Sequence, residues 1–150
     1  MTKRITIIQG HPDDSGEHLC HALADAYRQG AETAGHEVRR IEVAGLTFPM
    51  IRNREDFEHG ERPAPIQEAQ SMIRTSDHLV IVYPLWLGTM PALLKGFLEQ
   101  VMRPGIAFAY PEKGKGGFAA TLLKGRSARI VVTMGMPAVF YRLWYLGHGL

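Results

Sequence analysis

The stretch Leu79-Val80-Ile81-Val82 is apolar without a break, with His78 before it and Tyr83 after it. A strand with one wet face alternates, so an unbroken run predicts a parallel strand covered on both faces. Parallel strands are joined by crossovers, so helices must precede and follow this one. The rest of the sequence supplies them. Lys3 to Gln9 reads as a first strand, ended by Gly10. Ser15 stands where a helix N-cap belongs, Glu17 falls in the first turn, and Leu19, Leu23, Tyr27, Ala31 and Ala34 follow at near-helical spacing up to a Gly35 C-cap. His36 to Val43 reads as a second strand, whose Arg39, Arg40 and Glu42 suit a sheet edge.

Residues 44 to 62 read as a long polar loop, and Ile66, Ala69 and Ile73 mark a second helix ending near Ser76-Asp77. Pro91 opens a third, with Leu94, Phe97, Leu98 and Val101 on one side. Gly96 inside it costs about 1 kcal/mol relative to Ala, which calls for close packing there. After a Gly- and Lys-rich loop over 103 to 125, Ala128 to Thr133 is a fourth strand. The alternation predicts a doubly wound α/β sheet in one domain, residues 1–150. Right-handed crossovers leave two common topologies, Rossmann-like and flavodoxin-like. The first needs G-x-G-x-x-G after strand one. Here that turn is Gly10-His-Pro-Asp-Asp-Ser15, with no second or third glycine, so the flavodoxin-like order is preferred.

Bulk properties narrow the function. Apolar residues make up 45% and charged residues 21%, ordinary for a globular chain, and the formal charge of +2 is scattered. Lys113-Gly-Lys115 is the nearest thing to a basic cluster and reads as a solvated turn, so no nucleic-acid partner is expected. No apolar run approaches the ~18 residues of a membrane span, and the stretch after Lys3-Arg4 is too short for a signal peptide. Cys20 is the only cysteine, which excludes a disulfide framework and fits a reducing cytoplasm. It falls on the apolar face of the first helix, as a small buried hydrophobe. His18 and His21 lack further ligands and read as a solvated helix face. Asp13-Asp14 is a weak candidate for Mg²⁺, and no metal is expected.

Ligands of open α/β sheets bind outside the carboxyl ends of the strands. That rule selects the loops Gly10 to Ser15, Tyr83 to Met90 and Thr133 to Tyr141. The first leads into a helix N-terminus, suited to a phosphate. The second, Tyr83-Pro-Leu-Trp-Leu-Gly-Thr-Met-Pro91, sets an aromatic and two aliphatics among prolines. The third, Thr133-Met-Gly-Met-Pro137, offers backbone amides beside thioethers. Together they suit a phosphorylated, planar heteroaromatic ligand.

These residues resemble the flavodoxin-like NAD(P)H:quinone oxidoreductases, the family of the DT-diaphorase, modulator-of-drug-activity and potassium-efflux ancillary reductases. The resemblance is carried by Gly10-His-Pro12 and by Tyr83-Pro-Leu-Trp86 running into Pro91-Ala-Leu-Leu-Lys-Gly96. It continues in Phe108-Ala-Tyr110, Thr133-Met-Gly135, Tyr141 and Gly147-His148-Gly149. It implies a bound flavin, FAD or FMN, with NAD(P)H as electron donor and a quinone or similar small acceptor. His11 and Ser15 would contact the phosphate or ribityl end. Pro84, Leu85, Trp86 and Leu87 would wall the isoalloxazine, with Thr133, Met134, Gly135 and Met136 at its other edge. Tyr141 and His148 would face the nicotinamide and quinone and stabilise charge on the reduced ring.

A homodimer is implied as well, and the apolar run Phe140 to Leu146 supplies its surface. The same run also reads as a helix stripe that packs a partner subunit without catalytic duty. Trp86 has a second reading, as a core aromatic. The alternative function is a flavin-binding ancillary subunit docked on a membrane transporter. A one-electron carrier is disfavoured by a pI of about 8.8 and by a first loop without a Ser/Thr run. Asp13 and Asp14 depart from the expected phosphate loop. Members of the family continue into another helix and a fifth strand, whereas this sequence stops at Leu150. The outer edge of the fourth strand is therefore expected to be uncovered, unless something else covers it.

Overall fold

The computed structural model describes residues 1–111, 119–144 and 146. Four parallel strands make the main sheet: β1 (Arg4–Gln9), β2 (Glu37–Glu42), β3 (His78–Pro84) and a last strand, β6 (Ser127–Thr133). Their order is β2-β1-β3-β6, so the apolar run of β3 lies inside the sheet and the charged β2 at an edge. β6 is the other edge among the described residues, and its Ile130 is exposed. The helices are α1 (Leu19–Thr33), α2 (Arg54–Glu58), α3 (Ala64–Thr75), α4 (Ala92–Val101) and α5 (Ala138–Trp144). None is long and apolar enough to cross a membrane.

Alternation along β1 divides the core in two. Ile5 and Ile7 face α1 with Val80 and Val82, packed on Cys20, Ala24 and Ala31. Ile8 faces the other way, with Ile66, Ala69 and Ile73 of α3 and with Leu94, Phe97 and Val101 of α4. Each fully buried aliphatic contributes roughly 1.5–3 kcal/mol of transfer free energy. Cys20 is buried as expected. The thioether of Met50 fills the space over Gly96, the close packing its missing side chain foretold.

Three expectations are corrected. α1 begins at Leu19 with His18 as N-cap, because Asp13 draws Ser15 into a local turn instead of leaving it to cap the helix. The buried stripe of α1 is Cys20, His21, Ala24 and Ala31, and Leu19 is 64% exposed. Small residues take that face because the helix lies close on the sheet. The two long loops also carry structure. A 3₁₀ turn (Val43–Gly45) and α2 occupy the first, and a two-residue antiparallel ribbon, β4 (Phe108–Ala109) with β5 (Ala120–Thr121), occupies the second.

One side chain ties those loops together. Arg103, 1% exposed, donates to the carbonyls of Asp56, Phe57, Gly60 and Glu61 and to Oε1 of Gln100. All but the last are main-chain oxygens at and beyond the end of α2. Burial and the nearby Arg62 lower its pKa, against the pull of Asp56.

Candidate functional site

The carboxyl ends of β1, β3 and β6 bring three loops side by side. Gly10 leaves β1 hard against α4, where a Cβ would stand 2.6 Å from Leu94 Cδ2, so any larger residue requires the Leu94 side chain to move. His11 follows, buried. Its backbone N–H donates to Gln9 Oε1 at 2.8 Å, and its Nδ1 accepts from the backbone N–H of Asp13 at 3.1 Å. Its ring stacks on His18, centroids 3.9 Å apart, with His21 at 5.5 Å and Trp86 edge-on at 6.1 Å. Burial lowers the His11 pKa and His18 and His21 lower it further, against the Asp13 carbonyl, 3.1 Å from the same Nδ1, which raises it.

Asp13 turns toward its own loop. Its carboxylate accepts from the Ser15 N–H at 3.0 Å and the Ser15 hydroxyl at 3.2 Å, and lies 2.7 Å from His18 Nε2. Those bonds, with the one to His18 foremost, hold its pKa down to about 2. Ser15 is exposed, and its hydroxyl donates to the Asp13 carboxylate instead of capping α1. His21 is buried on the sheet side of α1, which corrects the reading of His18 and His21 as a solvated face. Two buried atoms here have no hydrogen-bond partner among the described residues, Gln9 Nε2 and His21 Nδ1. Sequence reasoning missed Gln9, and its signal was a polar residue closing an apolar strand.

The second loop is a tight hairpin. Trp86 and Thr89 exchange backbone hydrogen bonds of 2.8 and 3.1 Å across Leu87 and Gly88, both at positive φ (49° and 84°). That is the backbone of a type I′ turn, which glycine accepts freely and leucine does not. It throws Leu87 fully into solvent and leaves Trp86 half exposed, so Trp86 is not a core aromatic. Pro84 is buried at the end of β3 opposite Thr133, and the Leu85 N–H donates to the Thr133 carbonyl at 2.8 Å.

In the third loop the Thr133 hydroxyl lies 3.1 Å from Cys20 Sγ, directed into the fold. Burial raises the Cys20 pKa, against the Thr133 contact. Gly135 and Met136 are exposed, and Met134 is half-buried. Tyr141, on α5, is buried and donates to the Gly88 carbonyl at 3.1 Å, tying the third loop to the second. His148 lies outside the described residues, as do Lys113 and Lys115. Among the described residues no group of three or more His, Cys, Asp or Glu is placed to hold a metal ion.

A parallel sheet of this order, covered on both faces and bearing its site at the strands' carboxyl ends, defines the flavodoxin-like class of α/β proteins. The chain belongs to the flavodoxin-like fold family, whose sequence pattern matches residues 3–149. It is 30% identical over 139 residues to a Haemophilus influenzae protein named as an uncharacterized NAD(P)H oxidoreductase, covering 91% of this chain and 66% of that one. It is 27% identical over 152 residues to an FMN-dependent NADH:quinone oxidoreductase of Ruegeria pomeroyi, covering 91% of this chain and 72% of that one. Among solved structures, the NAD(P)H:quinone oxidoreductase of Methanothermobacter marburgensis superposes with a TM-score of 0.75 at 23% identity. That comparison covers 100% of this chain and 80% of the other, and it establishes the fold. The chain spans 66%, 46% and 57% of the length of three curated relatives it matches.

Proposed function

We propose that residues 1–150 form a single flavin-binding domain and that it reduces quinones or similar small acceptors with electrons from NAD(P)H. The observation that carries this reading is the pair of buried polar atoms without a partner among the described residues, Gln9 Nε2 at the end of β1 and His21 Nδ1 on α1, both from residues in contact with His11. A buried donor without a partner costs about 1–3 kcal/mol, and a bound acceptor relieves it. The residues therefore fit a phosphorylated flavin. FMN is the better supported of the two flavins, since a relative across 91% of this chain is named for it.

In this reading Gln9, His11 and His21 hold the phosphate end, and Trp86 with Leu85 and Leu87 gives an apolar wall. The backbone of Thr133 to Met136 faces the opposite edge. The bound flavin supplies two-electron hydride chemistry between nicotinamide and quinone. Tyr141 holds the Trp86 turn in place through Gly88, and His148 remains the proposed proton donor. A homodimer fits the exposed apolar side chains of α5, Val139, Phe140, Leu143 and Trp144. The lone buried cysteine suits a reducing cytoplasm.

The test is reconstitution of the purified chain with FMN or FAD, followed at the ~450 nm flavin band, then NAD(P)H-dependent reduction of a benzoquinone. Flavin bound with quenched fluorescence and turned over by NAD(P)H is the expected result. A protein that leaves both flavins unquenched overturns the reading.

A further inference from the structure

A second concave surface lies away from these loops, along α3. It encloses about 620 Å³ between the helix and the segment that leads to β4, and its lining includes Arg62, Gln67, Ser71, Arg74, Thr75 and Ile106. That volume is in the range of small-molecule sites. No residue of the site described above lines it, and no carboxylate does either. Glu68 of the same helix lines a different cavity, and Asp56 and Glu61 lie with Arg103 on another.

Positive charge here is left over. The Arg62 guanidinium reaches only the Pro104 carbonyl, at 3.3 Å, and its Nε is buried without a partner among the described residues. Arg74 is exposed, and among the described residues neither a hydrogen bond nor an ion pair engages its side chain. It is not needed as the cation at the C-terminus of α3, because Arg126 already donates to the carbonyls of Arg74 and Ser76. Arg103 adds a third charge close behind Arg62, bonded to neutral oxygens only. At the far end Arg39 donates to Thr75 Oγ1 at 3.1 Å and is neutralised by Glu37. Ser71 of α3 adds a hydroxyl to the lining.

Guanidinium forks without carboxylates, one with a buried N–H unused, are the chemistry that recognises a phosphate group. We infer that the groove between α3 and the segment before β4 binds the phosphate group of a small anion, with Arg62 and Arg74 as its ligands.

The test is NMR titration of the ¹⁵N-labelled chain, read at the side-chain Nε–Hε resonances of the arginines. Inorganic phosphate and glycerol 3-phosphate are the probes, each added with FMN in excess. Saturating shifts at Arg62 and Arg74, in the millimolar range or below, are expected. Arg74→Gln, a substitution at an exposed position, should weaken binding about tenfold while leaving the backbone spectrum and flavin quenching unchanged. Tighter binding of glycerol 3-phosphate identifies an organic phosphate as the ligand, and equal binding identifies the free ion. Both results support the site. Shifts that never saturate, that spread evenly over all arginines, or that are the same in Arg74→Gln overturn it. Because the readout is at Arg62 and Arg74, this result stands apart from whether the chain binds flavin.

Discussion

The hydroxyl of Tyr141 donates to the carbonyl of Gly88 at 3.1 Å, joining the helix after β6 to the turn after β3. Tyr141 is buried and the bond part-buried, and it ties down the turn that presents Trp86. Tyr141→Phe removes the donor and keeps the ring. It should lower stability by about 0.5–1.5 kcal/mol and slow flavin reduction by NAD(P)H roughly tenfold or more, with flavin still bound. Urea unfolding and stopped-flow absorbance measure the two effects, and normal reduction rates would leave Tyr141 a packing residue only.

Leu87 sits at φ 49° with its side chain fully exposed. A left-handed backbone costs a non-glycine residue about 1–2 kcal/mol, and asparagine before glycine is the favoured pair in a type I′ turn. Leu87→Asn should therefore raise the melting temperature by a few degrees. If Leu87 also covers the flavin ring, the same variant binds flavin more weakly. Stability gained with affinity unchanged would remove Leu87 from the wall.

Two histidines give the chain a pH signature. Burial is the leading cause that lowers both His11 and His78, the latter also repelled by Lys3 and Arg129. A histidine whose folded pKa is depressed binds fewer protons folded than unfolded. Stability is then full above the ordinary value of 6.5 and falls as pH drops from there toward the folded pKa values. Unfolding midpoints should decrease from pH 8 to pH 5.5, and His11→Gln should flatten the slope. An unchanged slope would mean the His11 shift is absent in solution.

Arg103 gathers main-chain carbonyls that lie far from it in the chain, and lysine cannot reproduce its planar fork. Arg103→Lys should cost roughly 2–4 kcal/mol and open the segment 44–62 to limited proteolysis. Cleavage elsewhere first would show that the segment is held by other contacts.

Trp144 is 85% exposed on α5, beside Phe140 and Leu143. Trp144→Glu should convert a dimer to a monomer of 16.7 kDa by light scattering. A wild-type chain already monomeric at micromolar concentration would remove the dimer.

What could be read from the residues alone followed from local rules. The unbroken apolar run set β3 inside the sheet, and Arg39, Arg40 and Glu42 set β2 at its edge. The three loops at the strands' ends followed from connectivity. What failed was nonlocal. Of the stripe expected on α1 (Leu19, Leu23, Tyr27, Ala31 and Ala34), Ala31 is buried and Tyr27 packs on the core, but Leu19 and Leu23 are exposed and Cys20 and Ala24 take the buried face. His18 and His21 gain meaning when a third histidine from the preceding loop stacks against them. Arg103 looks like an ordinary loop cation until α2, over forty residues away, turns its carbonyls toward it.

Gly10 leaves no slack between the end of β1 and Leu94. The first loop and α4 are thereby geared like meshed teeth. A shift of α4, which follows the Trp86 hairpin, would press the Leu94 side chain on the start of the His11 loop. In the proposed flavin site, this contact would link the loop at the phosphate end to the helix behind the ring wall.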